Sequence, residues 1–202
     1  MRSLFDSDGG TELLPSEGSA TLFSAAIDPK PARDAFARLF NETEWLQRDV
    51  TVFGRTVPQP RLVAWFGNPG CRYTYSGMAY EPEPWTETLK TLRAKCEELA
   101  CETFNSGLAN LYRDGQDSVA WHADDEAELG SDPTIASLSL GAGRRFDLRH
   151  KETGETIKTT LMTGDLVVMS NGCQRNWIHQ VPRMLRVREP RINLTFRHII
   201  VS

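Results

Sequence analysis

Histidine is scarce in this 202-residue chain, with only His122, His150, His179 and His198, so a histidine-based metal centre has few possible ligands. Cysteine is as rare: Cys71, Cys96, Cys101 and Cys173 form no C-x-x-C pair and no zinc-ligand spacing, and in a reducing compartment they read as buried or free thiols. No apolar run approaches the roughly 18 residues needed to cross a bilayer, so no membrane span is expected. Residues 1–18 lack the basic head and apolar run of a signal peptide. The expected location is therefore cytoplasmic in a bacterium, nuclear or cytoplasmic in a eukaryote, and not secreted. Excess positive charge is missing too. A net charge of -4 argues against indiscriminate coating of nucleic acid, which depends on releasing counterions from a basic surface. Any such contact must be local. Arg183, Arg186, Arg188, Arg191 and Arg197 are a candidate cluster, with ordinary solvated charge as the plain alternative.

What is present is the composition of a globular protein, 40% hydrophobic and 25% charged, at a length suited to one domain and one site. Residues 1–18, with Gly9-Gly10 and Pro15, are expected to form a loosely held, flexible leader before a single domain over 19–202. Pro29 opens a stretch with Phe36, Leu39 and Phe40 at helical spacing; a second helix is expected after Pro84, with Leu89, Leu92, Cys96 and Leu99 on one stripe. Between them, segments 50–53, 62–66 and 73–75 read as strands of hairpins lying outside the main core. From Leu108 onward, short strands are punctuated by turn residues at Gly115, Gly141–Gly143, Gly154, Gly164-Asp165 and Gly172. The expected fold is mainly β with flanking helices (α+β), a sandwich or jelly roll.

Three short stretches carry chemistry. In His122-Ala123-Asp124, an extended backbone points the imidazole and the carboxylate to the same side, where they can meet one ion. His179, from a distant strand, is available as a third ligand. Two histidines and one carboxylate leave three octahedral positions open, as non-haem iron(II) oxygenases require. An H-x-D pair alone is weak evidence. The segment Arg191-Ile192-Asn193-Leu194-Thr195-Phe196-Arg197 is more telling, because polar residues occupy every second position. On a solvated sheet edge, the face of Arg191, Asn193, Thr195 and Arg197 would meet water. Inside a barrel, its two guanidiniums would bind the carboxylates of a small diacid. Asn110 and Tyr112 repeat the alternation and offer hydrogen bonds to the same ligand.

In order and spacing, Asn110-x-Tyr112, His122-x-Asp124, His179 and Arg191 with Arg197 six residues later resemble the AlkB family. The resemblance runs from about Val50 to the C-terminus and is greatest to the animal-type DNA and RNA dealkylases, as in Pro190–Arg197, His122–Glu126 and Pro60-Arg61-Leu62. It implies a double-stranded β-helix over about 105–202 under a nucleotide-recognition lid of hairpins over about 45–80. It further implies iron(II) on His122, Asp124 and His179, and 2-oxoglutarate held by Asn110, Tyr112, Arg191, Thr195 and Arg197, with Asn193 on the same face and O2 as the other co-substrate. The implied activity is oxidative demethylation of 1-methyladenine or 3-methylcytosine in DNA and possibly RNA, releasing formaldehyde, succinate and CO2.

On the substrate side, Tyr73 and Tyr75 match a segment that lines the base pocket in relatives, suiting a flipped base that stacks on aromatic rings. Trp45 is similar to a substrate-contacting tryptophan, or is simply a core residue. Phe53, in Val52-Phe53-Gly54, resembles a wedge that fills the gap left by an extruded base, or is an ordinary hairpin aromatic. Arg61 either contacts the strand or pairs on the surface. Asp125 resembles a base-reading carboxylate, and a carboxylate would favour an alkylated, cationic base over the neutral product; the plain alternative is an acidic turn. The expected partners are alkylated DNA or RNA and 2-oxoglutarate, with no membrane and a monomeric state. Two rival readings stand beside this one: a 2-oxoglutarate oxygenase acting on a protein or small molecule, and a non-catalytic jelly roll that binds metal or damaged nucleic acid.

Overall fold

The computed structural model describes residues 9–52, 55–71, 73–75 and 78–200, with the backbone alone described at 51, 52, 55, 73–75 and 78–80. In chain order, β1 (Thr11–Glu12) and β2 (Ser19–Phe23) precede α1 (Pro29–Glu42). Next come β3 (Asp49–Val52), β4 (Arg55–Pro58), β5 (Leu62–Gly67), β6 (Tyr73–Tyr75) and β7 (Met78–Tyr80), then α2 (Glu87–Ala100). Strands β8 (Ser106–Tyr112), β9 (Val119–His122), β10 (Ile135–Gly141), β11 (Arg144–His150), β12 (Thr156–Leu161) and β13 (Leu166–Ser170) follow. The short helix α3 (Cys173–Asn176) leads into β14 (Trp177–Val181), and β15 (Arg191–Arg197) comes last.

Two antiparallel sheets face each other. The larger has seven strands in the order β1-β2-β13-β10-β15-β8-β5, and the smaller four in the order β12-β11-β14-β9. Together they form the double-stranded β-helix, and the residue alternation within the strands explains why. On β15, Ile192, Leu194 and Phe196 pack with Leu138 and Leu140 of β10 and with Leu39 of α1 and Leu89 of α2. The opposite faces of these strands turn toward the smaller sheet. The larger sheet is thus covered on both sides, and all seven residues of β15 are buried. Helix α1 starts at Pro29, whose ring presets the first turn, and buries Ala32, Ala35 and Leu39. Helix α2 is capped by Thr86, whose hydroxyl accepts from the Leu89 amide, and buries Leu89, Leu92 and Cys96.

Three expectations need correction. Phe40 does not join the α1 core stripe: it is 40% exposed and stacks on Phe36 at 5.6 Å. Segment 62–66 is no peripheral hairpin, because β5 pairs with β8 over six residues and completes the larger sheet. Among the described residues, the separate two-stranded units are β3–β4 and β6–β7. Finally, residues 11–18 are tied into the fold. Strand β1 pairs with β2; the Glu12 carboxylate accepts the Leu14 and Ala20 amides at 2.9 and 2.8 Å, and Ser16 O accepts the Trp177 indole N–H at 3.2 Å. One acidic side chain closing a tight turn is a local device that the Gly and Pro content of the segment conceals.

One of the two large apolar clusters lies on the helical side of the larger sheet. Leu138, fully buried at the centre of that sheet, is the place to test its contribution. Leu138→Ala should cost about 2–5 kcal/mol, by lost transfer energy and a residual cavity. A thermal melt will show a clear fall in Tm; an unchanged Tm would mean that this layer does not support the fold.

Candidate active site

Between the sheets, under the β3–β4 unit, lies a cavity of about 530 Å³. The inward residues of the larger sheet form one wall: Asn110 and Tyr112 of β8, Ser137 of β10, and Arg191, Asn193, Thr195 and Arg197 of β15. The smaller sheet supplies Phe146, His179 and Val181, while Arg48, Val50, Val57, Gln59 and Arg61 lie on the side of the β3–β4 unit.

His122 and His179 are directly paired across β9 and β14, so their imidazoles leave neighbouring strands toward the same side, with ring centres 4.3 Å apart. Asp124 lies just past the end of β9 and brings Oδ2 to 4.0 Å from His179 Nε2. One donor atom from each of the three residues lies within 4.8 Å of the others, a spacing that suits a single metal ion. His122 Nδ1 donates to Ala120 O at 2.8 Å, leaving Nε2 as the ring nitrogen with a lone pair to offer. Burial, with smaller contributions from His122 and Arg197, pushes the His179 imidazole well below the ordinary histidine range, so it stays neutral and ready to ligate.

Arg197 and Arg191 have different surroundings. Arg197 Nη2 meets Asp124 Oδ1 at 2.5 Å in a buried ion pair. Arg191 is 1% exposed and donates from Nη2 to Ser139 Oγ at 2.8 Å. Its Nε and Nη1 have no hydrogen-bond partner, and among the described residues no carboxylate lies within ion-pair distance of it. Burial lowers its pKa to about 10, which still leaves the group cationic at neutral pH. A buried guanidinium with two unanswered donors is costly unless an anion completes it. The chemistry of this end of the cavity therefore fits a ligand carboxylate.

Other expected residues divide. Tyr112 lines the cavity with the Arg191 and Arg144 guanidiniums 5.2 and 5.4 Å from its ring centre. Thr195 also lines it and donates to Asn193 Oδ1 at 3.2 Å. Asn193 lines the cavity as well. Its amide donates to Ser137 Oγ and Leu138 O at 2.9 and 3.1 Å, so both donors are consumed in bracing β15 to β10. Arg61 lines the cavity but donates from Nε to Asn110 Oδ1 at 2.8 Å, tying the segment before β5 to the β8 wall. Trp45 is no lining residue: it packs against the helical core and donates to Phe40 O at 3.3 Å. Asp125 is exposed, with its carboxylate 3.9 Å from Lys151 Nζ, and Glu126 lines the cavity in its place. The reason is alternation: in an extended segment Asp124 and Glu126 share a side and Asp125 takes the other. Phe53 lies outside the described residues, as do the side chains of Tyr73 and Tyr75. Within the arginine cluster, Arg191 and Arg197 are buried while Arg183, Arg186 and Arg188 are not.

Sequence reasoning misses Arg144, Ser139, Glu126 and Gln174. Arg144, 1% exposed, donates to the Asp114, Asp117 and Pro182 carbonyls at 2.9, 2.7 and 2.9 Å. No local pattern marks it, because its partners are backbone atoms from two loops.

The family model described as the 2OG-Fe(II) oxygenase superfamily matches residues 19–197. The mouse protein "Alpha-ketoglutarate-dependent dioxygenase alkB homolog 3" is 44% identical over 188 residues, 88% of this chain and 65% of that protein. The mouse "DNA oxidative demethylase ALKBH2" is 36% identical over 198 residues, 93% of this chain and 83% of that protein. The chain belongs to the AlkB family of 2OG-Fe(II) oxygenases. This AlkB-family chain spans just under two thirds of the length of the alkB homolog 3 relative, at 65%. The solved structure of OsALKBH1 shares the fold, with a TM-score of 0.59 at 21% identity, covering 89% of this chain and 97% of that one. Among the described residues, no helix is long and apolar enough to cross a membrane.

The buried imidazole makes a pH prediction. Unfolded His179 takes up a proton as pH falls through about 6.5, whereas the folded residue, its pKa depressed, does not. The unfolded state then binds more protons, so stability is lost as pH drops below that value. Urea unfolding at about pH 7.5 and about pH 5.5 should show this decline for the metal-free protein, and a smaller decline for His179→Gln. Equal declines would mean that His179 does not carry the burden.

Proposed function

We propose that this chain is an iron(II)- and 2-oxoglutarate-dependent dioxygenase that removes methyl groups from alkylated nucleic-acid bases such as 1-methyladenine and 3-methylcytosine. One observation carries the reading: a metal-competent His122–Asp124–His179 cluster opens into the same cavity as Arg191, a buried cation with two unanswered donors. In this assignment His122, Asp124 and His179 hold the iron. Arg191 takes one carboxylate of 2-oxoglutarate, with Tyr112, Asn110 and Thr195 beside it, and Arg197 braces Asp124. When bound, iron with 2-oxoglutarate and O2 supplies the oxidation that turns the co-substrate into succinate and CO2 and releases the N-methyl carbon as formaldehyde.

The protein supplies orientation and enclosure. Facing sheets shut the bulk of the solvent away from the reacting centre, and the β3–β4 side leaves an approach for a base taken out of its stack. Adenine alkylated at N1 or cytosine alkylated at N3 is cationic, and Glu126 is a cavity-lining carboxylate outside the metal cluster that would receive it. The relatives support the substrate class: one is a DNA oxidative demethylase by name, and another is an alkB homolog.

The deciding experiment is anaerobic loading with iron(II) and 2-oxoglutarate, then oxygen and single- or double-stranded oligonucleotides carrying either lesion, read by mass spectrometry. Loss of the methyl mass, dependent on all three components, is the expected result. Succinate formed without any change in the oligonucleotide would keep the oxygenase and discard the substrate, in favour of a protein or small molecule. Asp124→Ala should abolish turnover. Arg191→Met should raise the KM for 2-oxoglutarate about 10- to 100-fold, from losing a charge-assisted contact of about 1.5–3 kcal/mol, and an unchanged KM would remove its assigned role.

A further inference from the structure

The segment carrying Asp124 has little regular structure of its own, since β9 ends at His122 and the next turn of helix begins at Ala127. Sheet pairing sets His122 opposite His179, but that pairing stops before Asp124. The carboxylate is nonetheless buried at 3% exposure, so something beyond the sheet must fix its place.

Arg197 holds the carboxylate, and a second tie, on the main chain, comes from α3. Gln174, 2% exposed, accepts the Asp124 amide N–H through Oε1 at 2.9 Å, and its Nε2 lies 3.6 Å from Met169 Sδ. Its main-chain carbonyl accepts from Lys151 Nζ at 2.9 Å, the same ammonium that approaches Asp125. Helix α3 is itself pinned. The Gly172 amide donates to Asp132 Oδ1 at 2.7 Å, and Gly18 packs so closely that a Cβ there would come within 2.8 Å of Cys173 Cα. The same helix runs directly into β14, which carries His179. One turn of helix therefore governs two ligands that lie 55 residues apart in sequence, 179 less 124.

We infer that Gln174 is a positioning residue for the metal centre, one that registers Asp124 against His179 so that the donor set is assembled before an ion arrives. A neutral amide suits the place: it satisfies a buried N–H without setting a second carboxylate beside Asp124. The inference rests on reading His122, Asp124 and His179 as metal ligands.

Cobalt(II), bound in place of iron, tests it through affinity and visible absorption, neither of which requires turnover. Gln174→Met keeps length and bulk but loses the acceptor, and should weaken cobalt binding by about 10- to 100-fold and alter the spectrum. Gln174→Glu keeps an acceptor at the same reach, though it sets a second carboxylate beside Asp124, and its spectrum should stay closer to the wild type than that of Gln174→Met. A folded Q174M with wild-type affinity and spectrum overturns the inference, as does an identical change in both variants, which would indicate packing. Failure of the wild type to bind cobalt removes the metal reading and this inference together. Should Q174M not fold, amide exchange in the metal-free wild type decides: the Asp124 N–H should be protected like those of β14, and exchange at the rate of an open loop overturns the proposal.

Discussion

Strand β15 places two guanidiniums in an interior where an unpaired charge is strongly disfavoured, and much of the surrounding structure answers that cost. Arg197 is matched by Asp124, which fixes the place of the third member of the candidate metal cluster. Arg191 is only part-satisfied by Ser139, and in the proposed function its remaining donors receive a carboxylate at the far end of the cavity. The helices over the opposite face of β15 complete the arrangement. Because Ile192, Leu194 and Phe196 are buried against the helical layer, the strand cannot rotate its polar face outward without exposing its apolar one. The polar stripe is thereby kept facing inward, and stability and ligand recognition are two uses of one alternation.

The same alternation explains how much of the site is legible in the amino-acid sequence. Arg191, Asn193, Thr195 and Arg197 announce a polar face, and the choice between barrel and solvated edge is settled by neighbours that only the folded sheet provides: β10 on one side and β8 on the other. His122 and Asp124 are legible as a pair, and the two helices by their stripes. The two-residue repeat that places Glu126 on the cavity side and Asp125 on the exposed side is less easily read, because the likeness of motif points to Asp125. Trp45 packs against the helical core, away from the cavity, and a side chain of suitable type does not reveal which way it is turned. Arg144 and Gln174 leave no mark in the sequence, since each acts on backbone groups distant along the chain.

Support is distributed unevenly around the cavity, in a way that suits the proposed function. The metal side rests on paired strands and on a helix pinned at several points. The opposite side is formed in part by β3–β4, a two-stranded unit that shares no sheet with the core. Such units have little independent stability. Arg61, bonded to Asn110, is one stitch between this side and the β8 wall.

The order of strands in the larger sheet also bears on how the chain is made. β15 lies between β10 and β8, so the last of these strands to be synthesised occupies an interior position in the sheet. Until it arrives, the facing edges of both neighbours are open, offering unpaired backbone groups and apolar side chains to other chains. A nascent chain halted before Arg191 would thus be missing its keystone, a strong reason for such fragments to aggregate and be degraded.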